Sequence, residues 1–250
     1  QVSFIGRYAF LHCGMMKLYI PASVTEIQEE AIRSCNFLKE IHVSEQNPNF
    51  ASVDGVLYDK SVRTLIHCPE TRTELIIPET VTEIPYNAFE NCDDLKSVTI
   101  PDGAKIIDYR FTDCYQLNQV CYHGIEFIIH ANIYNELAPF FKLIDEKDLS
   151  VKIKFEEKCP IVMELFSRNP EDEKIIAYIR KTCSKTFQFL IDENHSEMLE
   201  KLLNTGLFIT KKNIDKFIQY ANQKQKHEIQ LLLTDYKYQH FEVKSKNLKL

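Results

Sequence analysis

The residue types in this chain best suited to nucleophilic or metal chemistry are its eight cysteines and eight histidines. Their spacing decides between those uses. Phe10-x-x-Cys13, Ile32-x-x-Cys35, Phe89-x-x-Cys92 and Phe111-x-x-Cys114 are copies of one motif. Cys13 to Cys35 and Cys92 to Cys114 are both 22 residues apart. A zinc site needs clustered C-x-x-C or Cys/His pairs at ligand spacing, and none is present. A nucleophile would not recur on a fixed period. A thiol that fills the same slot in every copy of a repeat would, because cysteine behaves as a small buried apolar side chain. The spacing therefore predicts that Cys13, Cys35, Cys92 and Cys114 form an internal column. No catalytic residue, metal ligand or cofactor is assigned. Cys68, Cys121, Cys159 and Cys183 fall outside that column.

The elements that would hold the column follow from the flanking residues. Upstream of each cysteine comes an isoleucine and usually an alanine, as in Ile27…Ala31-Ile32 and Ile84…Ala88-Phe89. Downstream comes alternation: Leu38-x-x-Ile41-x-Val43, Leu95-x-x-Val98-x-Ile100 and Leu117-x-x-Val120-x-Tyr122. Alternation of that kind predicts one short strand per copy. A period of 22 to 23 with L-x-x-L-x-L spacing is that of a leucine-rich repeat, in which one coil cannot bury its apolar face but stacked coils can. Asp54-Gly55 between apolar residues predicts a tight hairpin turn in a longer, variant coil.

With Val24, Ile27, Ala31, Cys35, Leu38, Ile41 and Val43, and again Val81, Ile84, Ala88-Phe89, Cys92, Leu95, Val98 and Ile100-Pro101, residues 1 to 122 resemble the BspA-like leucine-rich repeat family. That resemblance implies a solenoid of short parallel strands. It also implies the binding roles of bacterial and protist surface proteins rather than catalysis.

The period then changes. Residues 123–150 are a junction, and from 151 to 236 the apolar spacing becomes helical. Pro170-Glu171-Asp172-Glu173 reads as a helix start. His195-x-Glu197-Met198-Leu199-x-x-Leu202-Leu203-x-x-Gly206 resembles an ankyrin repeat. A looser copy runs from Thr210, as an N-cap, to Leu232-Leu233. Met198, Leu199, Leu202 and Leu203 would form one buried stripe, with Gly206 as a left-handed C-cap. Residues 237–250 are a lysine-rich tail. The fold class is thus an α/β repeat protein: a leucine-rich-repeat solenoid followed by an all-α, ankyrin-like region.

Composition excludes several functions. A formal charge of −6 lacks the concentrated basic face of a nucleic-acid binder. No apolar run approaches the roughly 18 residues of a membrane span. The outward strand positions are Lys17 and Tyr19, Glu40 and His42, Glu74 and Ile76, Ser97 and Thr99, and Gln119 and Cys121. They form a mixed row without the aromatic clusters of a strong hot spot. The sequence therefore predicts a non-enzymatic scaffold that takes a protein or glycan partner on this row. The alternative is an architectural spacer within a longer chain. The chain opens inside a repeat, at Val2-x-x-Ile5, which predicts that the natural protein continues upstream. Localisation stays open: the BspA-like resemblance implies the cell surface, while ankyrin-like units and unpaired thiols point to the cytoplasm.

Overall fold

The computed structural model describes residues 2–106, 111, 114–129 and 137–242. The chain divides into two compact units, Gln1–Lys142 and Leu143–Leu250, and the division falls inside a helix.

In the first unit, strands alternate with turns around an apolar interior. The described strands are β1 (Phe4–Ile5), β2 (Lys17–Ile20), β3 (Glu26–Ile27), β4 (Glu40–Val43), β5 (Phe50–Val53), β6 (Val56–Asp59), β7 (Leu65–His67), β8 (Glu74–Ile76), β9 (Glu83–Ile84), β10 (Ser97–Ile100), β11 (Lys105–Ile106), β12 (Gln119–Tyr122) and β13 (Ile125–Ile128). Coil-to-coil pairing is parallel. β2 pairs with β4, and β8 with β10 and β10 with β12. Two-residue ladders, β1 with β3 and β9 with β11, recur away from those sheets. Period-2 alternation buries Leu18 and Ile20, Ile41, Leu75, Val98 and Ile100, and Val120 and Tyr122, while their neighbours face outward.

The variant coil departs from this plan. β5, β6 and β7 form an antiparallel sheet of their own, with β5 and β6 joined at Val53↔Val56. The two turn residues have positive φ, Asp54 at 49° and Gly55 at 77°, the requirement of a two-residue hairpin whose twist matches its strands. A Cβ on Gly55 would sit 3.2 Å from the Glu40 backbone, so glycine also permits the turn to rest on β4. Asn47 locks the entry to this coil. Fully buried, its Nδ2 donates to the carbonyls of Pro21 (2.8 Å) and Val24 (2.9 Å), and its Oδ1 accepts from the amides of Asn49 (2.9 Å) and Phe50 (2.8 Å). One side chain thereby pairs four backbone groups of two coils.

The burial of the motif thiols differs from the expectation at one position. Cys35, Cys92 and Cys114 are wholly buried, but Cys13 is exposed. Cys13 lies in the first described coil. Cys68, read above as outside the column, is buried beside it, in a different slot of its coil. Each buried thiol leans on the coil before it: Cys35 Sγ donates to Phe10 O (3.0 Å), Cys92 Sγ to Cys68 O (3.4 Å) and Cys114 Sγ to Phe89 O (3.7 Å). The amides agree, since Phe10 N donates to Ala31 O (2.8 Å) and Cys68 N to Ala88 O (3.0 Å). Cys68 thus stands where other coils carry phenylalanine, a substitution of type that hid the register. Among the described residues no disulfide joins any two of the cysteines.

Past β12 the chain turns back. β13 pairs antiparallel with it, and α1 (Ala138–Asp145) brings Phe140 onto Phe127 (5.1 Å between ring centroids) and Phe141 onto Tyr122 (4.4 Å).

The second unit is helical: α2 (Phe155–Arg168), α3 (Glu173–Asp192), α4 (Ser196–Asn204), α5 (Ile214–Gln223) and α6 (His227–Lys237). Asp172 caps α3, its carboxylate accepting from the amides of Lys174 (3.0 Å) and Ile175 (3.2 Å). Its other oxygen takes Lys147, which holds the carboxyl below its usual range. Leu199, Leu202 and Leu203 are buried and Met198 half-buried. Gly206 follows α4 at φ 67°. The second N-cap lies at Asn213 rather than Thr210, because the Asn213 Oδ1 accepts from the Thr210 amide and holds that stretch as a turn. The last part of the lysine-rich tail, 243–250, lies outside the described residues.

Candidate functional site

The ten outward strand residues do not form one uninterrupted row. Lys17 opposes Glu40 and Tyr19 opposes His42 on β2 and β4. Glu74, Ser97 and Gln119 are aligned on β8, β10 and β12, as are Ile76, Thr99 and Cys121. Between these blocks β4 and β8 are not paired. The Asp54-Gly55 turn rests against β4 there, with Ile41 N donating to Gly55 O (2.8 Å).

In the first block, side chains absent from the sequence reading as a cluster come together. Tyr19, 69% exposed, stacks on the His42 ring with centroids 5.1 Å apart and planes 18° apart. Glu40 Oε2 receives both the His42 Nε2 contact (2.7 Å) and Lys17 Nζ (3.0 Å). Lys17 first and His42 second hold the Glu40 carboxyl below the usual range, and Glu40 raises Lys17. Tyr19 and His42 are 23 residues apart whereas Cys13 and Cys35 are 22 apart, so a register drawn from the cysteines alone would have set Tyr19 against Ile41.

Between the blocks lies a groove of 610 Å³ lined by Lys39, Glu40, His42, Asp54, Gly55, Arg72, Glu74, Leu75 and Ile76. Arg72 crosses it, donating through Nη2 to Asp54 O, while its Nε is shielded from solvent and has no partner. Ile76 is 77% exposed. The turn was expected from Asp54-Gly55, but Arg72 did not stand out in the sequence, because it does not belong to the repeat pattern.

A second hollow is lined in part by Gln28, Glu30, Arg33, His67 and Glu90. Arg33 bridges Glu30 (3.4 Å) and Glu90 (2.7 Å) there. Among the described residues no three His, Cys, Asp or Glu side chains converge as a metal site, and no helix is long and apolar enough to cross a membrane.

Burial makes some of the thiols weaker acids. It pushes Cys35 up to about 11 and Cys159, in the helical unit, up to about 12. Cys92 is raised well above 9.0, by its contact with Cys68 and by burial. A thiol protonated in the folded chain but ionised in the unfolded one favours unfolding once pH exceeds the unfolded value. These groups therefore leave stability flat below an ordinary thiol value of 9.0 and remove it as pH rises towards 11. Thermal unfolding scans between those limits should show the melting temperature falling. A Cys35→Ala, Cys159→Ala pair should flatten the slope.

The BspA type Leucine rich repeat region matches residues 1–56 and 63–137, in 6 copies. No curated protein matches the chain. Among solved structures, a leucine-rich repeat protein from Eubacterium ventriosum is 24% identical, with 49% of this chain and 40% of that one covered and a TM-score of 0.41. The pneumococcal vaccine antigen PcpA is 29% identical, over 44% of this chain and 28% of that one, TM-score 0.40. A leucine rich cell surface protein from Faecalibacterium prausnitzii is 31% identical, over 48% and 32%, TM-score 0.42. This chain thus spans less than half the length of each.

Proposed function

Because the chain belongs to the BspA-type leucine-rich-repeat family, we propose that its first unit is a non-enzymatic interaction scaffold holding a protein or glycan partner on the strand face. The observation that carries this is the Tyr19–His42 stack, exposed and yet fixed by Glu40 and Lys17. Rigid aromatic area presented to solvent costs little ordering when a partner covers it, which is why such residues concentrate binding energy. Thr99, Ser97 and Gln119 supply hydrogen-bonding groups on the second block, and Lys17, Glu40, Glu74 and Ile76 complete the row. The buried column keeps the strands in register without taking part.

In the second unit we read α3 with α4, and α5 with α6, as ankyrin-like hairpins. Support comes from the buried Leu199, Leu202 and Leu203 and from Gly206 in the left-handed conformation.

The test is a Tyr19→Ala, His42→Ala, Thr99→Ala variant. Partner capture should fall by about two orders of magnitude, while the melting temperature stays within about 2 °C because every altered side chain is at least partly exposed. Undiminished capture would remove the strand face as the site and favour a spacer role.

A further inference from the structure

We propose that the interrupted ladder between β4 and β8 is a docking edge for an extended peptide that carries an acidic residue at one end and an apolar residue four positions away. This deepens, and rests on, the reading of the strand face as the binding surface.

The backbone argument comes first. In the β8–β10 ladder, Ser97 N donates to Thr73 O (3.3 Å) and Ile77 N to Thr99 O (3.0 Å). Parallel pairing alternates, so Thr73, Leu75 and Ile77 use their groups on β10, and Glu74 and Ile76 direct theirs to the opposite side. β4 cannot take them up. Its own amides on that side are spent, Ile41 N on Gly55 O and Val43 N on Ser52 Oγ (3.1 Å). Among the described residues the backbone groups of Glu74 and Ile76 have no partner there. An unpaired strand edge beside a groove is what strand addition requires: main-chain bonds supply affinity and alternate side chains supply choice.

The side chains set the choice. Arg72 and Lys39 stand at the start of the groove, Glu40 and Glu74 at its middle, and His42 and Ile76 at its end. Arg72 and Lys39 set two cationic groups at that end, which a carboxylate complements. Ile76, 77% exposed, offers an apolar contact four residues on. Residues i, i+2 and i+4 of an extended strand share one face. The matching peptide therefore reads acid, spacer, base, spacer, apolar, with the base against Glu74. At 610 Å³ the groove is within the roughly 300–1,000 Å³ range of ligand sites.

The probes are fluorescein-labelled acetyl-Ser-Glu-Thr-Lys-Thr-Val-Ser-amide and its reverse-order counterpart, since the edge accepts either strand direction. Binding is read by anisotropy, and the amides of Glu74 and Ile76 by hydrogen exchange, on the full chain. One orientation should saturate and slow those two amides. Exchanging the peptide's Glu for Gln should weaken it about fivefold to tenfold, and less on an Arg72→Gln chain, because both changes remove the same contact. Lys39→Gln, which leaves the Arg72–Asp54 tie in place, should weaken it as well. Methylating alternate peptide nitrogens should abolish binding.

No binding by either peptide up to about 1 mM, or binding that survives methylation with exchange at Glu74 and Ile76 unchanged, overturns the proposal. The strand-face reading fails separately: peptide binding with undiminished partner capture by the Tyr19, His42, Thr99 variant would sink that reading and leave the docking edge intact.

Discussion

Replacing Asn47 by leucine is expected to lower the stability of the repeat unit by about 3–5 kcal/mol, measured by urea unfolding followed by circular dichroism. The chain has no tryptophan to report instead. Leucine fills similar space but leaves the Val24 carbonyl and the amides of Asn49 and Phe50 without the partner they have now, while Pro21 O keeps only the Val24 amide. Each buried unpaired group costs about 1–3 kcal/mol, and partial relaxation keeps the sum below simple addition. An Asn47→Asp variant separates hydrogen bonding from shape. It keeps the acceptor for Asn49 and Phe50 but sets a carboxylate against the carbonyls of Pro21 and Val24. The folded state disfavours that charge and raises the carboxyl's pKa. The variant should therefore lose stability as pH rises above about 4 and recover part of it below. A loss under about 1 kcal/mol for leucine would mean that the coil entry is not fixed by this side chain.

Phe89→Ala is expected to cost a further large amount, about 3–5 kcal/mol by the same measurement. Phe89 is 3% and Phe111 1% exposed, and their rings stack with centroids 4.6 Å apart. Truncation opens a void beside Cys92 and Cys114 that a stacked coil cannot close without breaking ladder bonds. Phe89→Leu, which keeps most of the volume, should cost under about 2 kcal/mol. Equal losses for the two variants would assign the effect to something other than packing.

Much of this fold was legible because a stacked repeat writes one environment many times. Ile27, Ala31, Cys35, Leu38 and Ile41 recur at fixed offsets for a physical reason: each offset meets the same neighbour in the next coil. The Asp54-Gly55 turn was legible for a local reason, since two successive positive φ values demand those residue types. What was hidden came from departures. Cys68 replaces an aromatic residue, so type and position disagreed. Cys13 shares the motif but not the burial, which could not be read from its own residues. Asn47 and Arg72 act across coils through a single side chain each, and a periodic search discards such singular residues. The candidate site suffered most. Its outward residues were found by alternation, yet the gap between β4 and β8 depends on where an inserted hairpin comes to rest. That is a matter of packing rather than pattern.

At the centre stands a sealed file of thiols holding the coils in register. Timed alkylation of the native chain, read residue by residue by mass spectrometry, addresses it directly. Cys13 should be modified within minutes, Cys121 and Cys183 more slowly, and Cys35, Cys68, Cys92 and Cys114 only as fast as the unit unfolds. Modification of Cys35, Cys92 and Cys114 at the rate of Cys13 would contradict it.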